Sequence, residues 1–252
     1  MQALSLYTAE NIAAAKEAMK KHSYFILPNI YSKNFCGEIK LEIDKVNTGT
    51  GVEINYDGSE TRIWSAQKRF NAVKRFFDDS NQFLSSVLSK DSVADTVLAI
   101  KNNKLSNKNQ KNFTGRWHAD SFRSQLKVFL FLSDTTEKSG PLQFIPNTNK
   151  FFFRFKKLFE PGFFFNHFNI LKRGNIRSYT SIPDSKIETL LKRGYKSKSV
   201  LVKAGTVLLI DTSKLIHRAK PCLKGERYAL TAYYKTRKGY HDYELQKSDL
   251  NI

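Results

Sequence analysis

Cysteine, acidic residues and long apolar runs are all scarce in this chain. Its 252 residues include two cysteines, Cys36 and Cys222, and no CxxC pair. That excludes a disulfide framework and a cysteine-ligated zinc site, and it suits a reducing compartment. No stretch approaches the roughly 18 uninterrupted apolar residues that span a bilayer. The opening Met1-Gln2-Ala3-Leu4-Ser5 lacks a basic region followed by an apolar run, so no secretory signal is expected. These absences point to a cytoplasmic protein. Asp and Glu number 23 against 42 Lys and Arg, leaving a net charge of +19. Such an excess favours anionic partners: nucleic acid, an anionic membrane surface, or a phosphorylated or carboxylated substrate. A lysine-rich composition unrelated to binding accounts for it equally well, so charge alone assigns no function. With no internal repeat and no linker, a single domain over residues 1–252 is expected.

What is present is a globular pattern that changes character midway. Thr8 is placed to cap a helix running through the alanine-rich stretch to Met19, and Tyr24-Phe25-Ile26-Leu27 reads as a short strand closed by Pro28-Asn29. A second helix is expected from Ser32 to about Val46, with Phe35, Ile39, Leu41 and Ile43 as its apolar positions. Asp57-Gly58 marks a turn. From Ile63 to Leu88 the apolar spacing is helical, with an interruption expected at Asp78-Asp79-Ser80-Asn81. Val93 to Ile100 reads as a strand, and the polar stretch from Asn102 to Asn112 as a loop. Strands then dominate: Gln125–Leu132, the turn and strand from Gly140 to Pro146, Val200–Val202, Thr206–Ile210 and Arg227–Tyr234. Helices followed by strands imply an α+β class, a mainly β core buttressed by N-terminal helices.

One constellation carries chemistry. In Gly115-Arg116-Trp117-His118-Ala119-Asp120 the imidazole and the carboxylate stand two residues apart, so in an extended segment both point to one side. A third ligand, His217, follows the strand Thr206–Ile210 by one short loop, Asp211–Ile216, which would deliver it. Two imidazoles and one carboxylate can occupy one face of Fe(II) and leave the other face open. Arg227, on the next strand, can clamp a carboxylate, with Ala229, Thr231 and Tyr233 on its face. Gln125 and Lys127 are polar positions on one face of an apolar strand, either lining a cavity or facing solvent. A lone HxD is equally a surface histidine beside an aspartate. The remaining histidines compete poorly: His22 ends a basic helix, His167 lies in a phenylalanine-rich segment, and His241 in a polar tail.

The ordered blocks are more specific than any single residue. They are Ser23–Asn29, Trp117-His118-Ala119-Asp120-Ser121, Lys127–Asp134, Ser139-Gly140-Pro141-Leu142, Gly205–Thr212, His217-Arg218 and Gly225–Thr231. In this order the chain resembles the phytanoyl-CoA dioxygenase-like group of Fe(II)/2-oxoglutarate oxygenases, from about residue 20 to 235. The resemblance implies a double-stranded β-helix, the cupin-like jelly roll. It implies iron held by His118, Asp120 and His217, and the distal carboxylate of 2-oxoglutarate held by Arg227, with Thr231 as a further contact. O2 and 2-oxoglutarate would be co-substrates, released as succinate and CO2 as a C–H bond is hydroxylated. A halogenase of this fold would need a small residue in place of Asp120, so hydroxylation is expected. Many relatives follow Gly-Pro-Leu with Pro-Gly-Ser-His, where this chain has Pro146-Asn147-Thr148-Asn149, which leaves that pocket wall unassigned.

Between the two halves of the site lies a basic aromatic insert, about residues 150–198. It contains Lys150-Phe151-Phe152-Phe153-Arg154-Phe155-Lys156-Lys157-Leu158-Phe159 and Gly162-Phe163-Phe164-Phe165. Three readings are open: a lid whose phenylalanines pack on the β core, a surface at an anionic membrane or gripping a lipid-linked anion, or a stacking platform for single-stranded bases. The stretch Leu191–Lys198 reads as a solvated loop. The expected substrate is a small or lipid- or sugar-linked, anionic molecule. A nucleic-acid-acting oxygenase or nucleic-acid binder and a catalytically silent jelly-roll binder are the alternatives.

Overall fold

The computed structural model describes residues 8–55, 58–105, 115–120, 124–163, 181–234 and 243–250. Asp57 of the expected turn, residues 106–112 of the polar loop, Ser121, Phe164, Phe165, His167 and His241 lie outside them. Helix α1 (Ala9–His22) is capped by the Thr8 side chain, which accepts from Asn11 N, and leads into strand β1 (Tyr24–Leu27). Helix α2 (Lys33–Lys45) is capped in the same way by Ser32. The hairpin β2 (Val52–Asn55) and β3 (Glu60–Ile63) follows, then α3 (Ala66–Arg69) and α4 (Asn71–Leu88). The rest comprises β4 (Thr96–Asn102), β5 (Leu126–Phe131), β6 (Leu142–Ile145), α5 (Phe151–Leu158) and α6 (Asp184–Lys192). It ends with β7 (Lys198–Ser199), β8 (Val207–Asp211), β9 (Ile216–Ala219), β10 (Arg227–Tyr234) and α7 (Lys247–Leu250).

Two antiparallel sheets result, ordered β1-β8-β5-β10-β4-β3-β2 and β7-β6-β9. Strand alternation assigns the two faces of the large sheet different tasks. Val128 and Leu130, Val207 and Leu209, Leu230 and Ala232, and Val97 and Ala99 form one face, which packs on Ile39 and Ile43 of α2 and Phe76, Phe83 and Leu84 of α4. On the other face Phe129, Phe131, Leu208 and Ile210 meet Leu142 and Phe144 of the small sheet. This is the expected cupin-like jelly roll with its helical buttress. Gly205 locks the entry to β8: its φ is +85°, and its carbonyl accepts from both Ile30 N and Tyr31 N.

Several local expectations are corrected. The acidic run at 78–81 does not interrupt α4, because three of its four polar side chains have tasks compatible with the helix. Asp78 pairs with Lys74 one turn back, Asp79 accepts from the Tyr31 hydroxyl, and Asn81 accepts from Ala94 N and the Tyr234 hydroxyl. Ile63 ends a strand rather than beginning a helix. Leu41 is exposed, since α2 turns only Cys36, Ile39 and Ile43 fully inward. Val200–Val202 makes backbone bonds to Leu142 and Thr135 but forms no ladder; β7 lies just before it. His217 follows β8 by one short turn, as expected, and stands within β9. Helix α6 inside the insert and the β2–β3 hairpin had no counterpart in the sequence reading beyond the turn at Gly58.

Candidate metal centre

His118 and His217 are brought together by the backbone. Each donates its N–H to the other's carbonyl at 2.9 Å, so the two residues face one another across an antiparallel pair. Their ring centroids are 4.3 Å apart. Asp120, two residues beyond His118, is fastened to the β8–β9 turn by its N–H donating to Thr212 O at 3.1 Å. Its carboxylate lies 3.4 Å from His118 Nε2 and 3.6 Å from His217 Nε2. Cβ alternation accounts for the convergence: positions 118 and 120 share one side of their segment, and that side faces β9.

The rings are oriented for ligation. His118 Nδ1 sits 2.7 Å from Arg116 O, and His217 Nδ1 2.9 Å from Leu215 O. A carbonyl only accepts, so each ring places its proton on Nδ1 and directs the Nε2 lone pair at the carboxylate. One potential ligand atom from each of the three residues lies within 4.8 Å of the others. Ligands about 2.1 Å from one ion and at right angles to each other are about 3 Å apart. The donor set therefore fits a divalent first-row ion and leaves positions open. Burial foremost, then the neighbouring His118, pushes His217 down to about 3, so it stays neutral and able to ligate. Burial opposes ionisation of Asp120, but Lys127, His217 and His118 together hold its carboxyl well below the usual range.

Lys127 is buried on the inner face and does not face solvent. Its Nζ is 2.6 Å from Asp120 Oδ2 and 4.5 Å from the centre of the Tyr233 ring, its partner across β10. Gln125, half-buried just before β5, contributes its carbonyl, which accepts from Thr212 N and Oγ1. Thr231 is buried on the same face of β10, opposite Phe129.

Arg227 stands at the far end of that face. Tyr233 lies six positions further along, about 20 Å of strand. Its Nη1 donates to Gly140 O and its Nη2 to Asn102 Oδ1, while its buried Nε has no hydrogen-bond partner among the described residues. Asn102 in turn donates to Glu60 Oε2 at 2.9 Å, and Glu60 pairs with Arg62 at 2.8 Å. Asn102 and Glu60 were not anticipated as site residues. Only the register Arg227↔Asn102↔Glu60 across β10, β4 and β3 brings them together. The inner face thus carries Arg62, Arg227 and Lys127 against Glu60 and Asp120, an excess of positive charge.

A jelly roll with two histidines and one carboxylate converging inside it defines the class of non-haem iron oxygenases. The family model of phytanoyl-CoA dioxygenase (PhyH) matches residues 4–224, and the chain belongs to that family of Fe(II)/2-oxoglutarate-dependent oxygenases. Solved structures agree in fold. The epimerase SnoN from nogalamycin biosynthesis, in complex with Fe3+, α-ketoglutarate and nogalamycin RO, has a TM-score of 0.62 at 11% identity, covering 90% of this chain and 84% of that one. HygX from Streptomyces hygroscopicus, with nickel and 2-oxoglutarate bound, gives 0.57 at 15%, covering 98% and 94%. EctD from S. alaskensis, with 2-oxoglutarate and 5-hydroxyectoine, gives 0.59 at 16%, covering 93% and 78%. No curated protein sequence matches the chain.

Proposed function

We propose that this protein hydroxylates an unactivated C–H bond of a small or lipid- or sugar-linked, anionic molecule. In this reading His118, Asp120 and His217 hold Fe(II), and Arg227 receives the distal carboxylate of 2-oxoglutarate. The observation that carries it is the convergence of both Nε2 atoms on an ionised Asp120, with each Nδ1 already committed to a carbonyl. The chemistry supplied when iron, 2-oxoglutarate and O2 are bound is oxidative decarboxylation to succinate and CO2 coupled to C–H oxidation. The protein's own residues set the stage for it. Asp120 supplies the negative charge, His217 stays neutral, backbone carbonyls anchor both imidazoles, and Asn102 with Gly140 aims the Arg227 guanidinium. Lys127 offers a second cation to a carboxylate, and Thr231, between Lys127 and Arg227 on the inner face, offers a hydroxyl. Gln125, two residues before Lys127, is assigned to the same face of the strand. Retention of Asp120 favours hydroxylation over halogenation, which would need room for a halide at that position.

A succinate-release screen over candidate substrates tests the proposal, with products weighed by mass spectrometry. The expected product gains one oxygen atom, and His118→Ala abolishes both succinate and product. A product of unchanged mass indicates isomerisation and removes the hydroxylase assignment. Turnover that survives His118→Ala removes the assigned centre.

A further inference from the structure

We propose that the outward face of α5 docks this protein onto an anionic lipid bilayer. Phe151, Phe152, Phe155 and Phe159 are 72%, 84%, 51% and 60% exposed, a concentration of apolar surface unusual on a helix already seated in its fold. Positions 151, 155 and 159 follow helical spacing, so their rings form one line, with successive centroids 5.9 and 5.5 Å apart; Phe152 lies beside it at 5.7 Å from Phe151. The opposite side of the helix is occupied. Phe153 is buried with Trp117 and Ile216, and Leu158 packs on Ala119. That packing leaves the Phe151, Phe152 and Phe155 rings on the solvent side of α5.

The rim of this patch selects the partner. Lys150 and Lys156 are exposed on the helix, and residues 150–159 include no acidic side chain. Lys150 Nζ and Asn149 Nδ2 both donate to Lys21 O, which draws the exposed Lys20 and Lys21 at the end of α1 alongside. Glu160, just beyond, is engaged by Lys157 and Lys186. An apolar stripe bordered by lysines matches the acyl–headgroup boundary of an anionic membrane, where rings enter the hydrocarbon and ammonium groups reach the phosphates. The rings lie against each other rather than standing apart as base-stacking platforms do, which favours lipid over single-stranded nucleic acid. Because Leu158 touches the residue between His118 and Asp120, docking would hold the metal centre at the bilayer. Delivery of a lipid-linked substrate from there rests on the function proposed above; the docking itself does not.

Flotation of the full-length protein with phosphatidylcholine vesicles, with and without about 30% phosphatidylserine, tests the docking without iron or turnover. Binding is expected to the anionic vesicles and to be weak on the neutral ones. Phe151→Ser with Phe152→Ser lowers the partition coefficient roughly tenfold or more. Lys20→Gln with Lys156→Gln lowers it several-fold. The exposed positions predict unchanged thermal unfolding; should the double variant melt early, Phe152→Ser alone serves in its place. No flotation on anionic vesicles overturns the proposal, as does flotation indifferent to the phenylalanine substitutions, which would reduce it to net charge. Phenylalanine-dependent binding of a single-stranded oligonucleotide, or phenylalanine-dependent dimerisation, without flotation reassigns the patch and overturns it equally.

Discussion

Replacing Lys127 with methionine separates two roles that one cation plays at Asp120. The Lys127 Nζ lies 2.6 Å from Asp120 Oδ2, with Lys127 itself buried. At that separation and an effective dielectric near 20 the attraction is about 6 kcal/mol. Desolvation of the two ions offsets much of it, and breaking such a buried pair costs about 3–5 kcal/mol. Metal-free Lys127→Met protein should therefore lose roughly 3 kcal/mol of stability. A divalent ion shared by His118, Asp120 and His217 replaces the lost counter-charge, so the metal-loaded variant should lose only about 1 kcal/mol. The difference of about 2 kcal/mol must appear as roughly thirtyfold tighter metal binding in the variant. Urea unfolding with and without Ni(II), together with a Ni(II) titration, measures both sides of this cycle. Weaker Ni(II) binding by the variant, or equal stability losses in the two forms, would refute the reasoning. Lys127 would then be orienting Asp120 for the metal and not competing with it.

Other predictions test separate parts of the molecule. Asn102→Ala removes one of the two acceptors that aim Arg227, a charge-assisted bond worth about 1.5–3 kcal/mol. The KM for 2-oxoglutarate should rise tenfold or more with kcat little changed, and an unchanged KM would detach Arg227 from the co-substrate. Gly205→Ala places a Cβ 1.9 Å from Tyr31 O at a φ of +85°. A loss of about 3 kcal/mol and a melting point roughly 6–12 °C lower are expected in calorimetry, and a loss under 1 kcal/mol would contradict the close approach. Burial pushes the Cys36 thiol up to about 11, so at pH 8 only about 0.1% is thiolate. Ellman's reagent should leave Cys36 untouched in the native protein and titrate both thiols after denaturation, and rapid native labelling at Cys36 would contradict its burial.

Much of the site was legible because its chemistry depends on short sequence intervals. The i, i+2 spacing of His118 and Asp120 sets their common side in any extended segment, and Arg227 heads a strand rich in apolar and aromatic residues. Capping residues Thr8 and Ser32 likewise announce their helices locally. What could not be read is what depends on register between distant strands. Asn102 meets Arg227 across 125 residues, and Glu60 meets Asn102 across 42. Nothing near either residue signals the encounter. The acidic run of α4 misled for a related reason: its polar side chains look like a break until their partners on Tyr31, Ala94 and Tyr234 are known. Lys127 was undecided between cavity and solvent because alternation assigns positions to two faces without saying which face is which.

That last ambiguity has a physical consequence for folding as well as for chemistry. In β5, Val128 and Leu130 fill the helix-packed core, while Lys127, Phe129 and Phe131 turn toward the small sheet. A slip of one residue would exchange the two sets, carrying Lys127 into an apolar layer of Val207, Leu209 and Leu230 and leaving Asp120 without its cation. Both outcomes bury an unpaired charge, which costs far more than the hydrophobic contacts a slipped strand retains. β5 lies between β8 and β10, so its phase is tied to Ile210 opposite Lys127 on one side and Tyr233 on the other. The Lys127–Asp120 pair therefore contributes to the choice of register before any metal is bound. The same pairing that holds Asp120 ionised also penalises the mispaired sheet in which no centre can form.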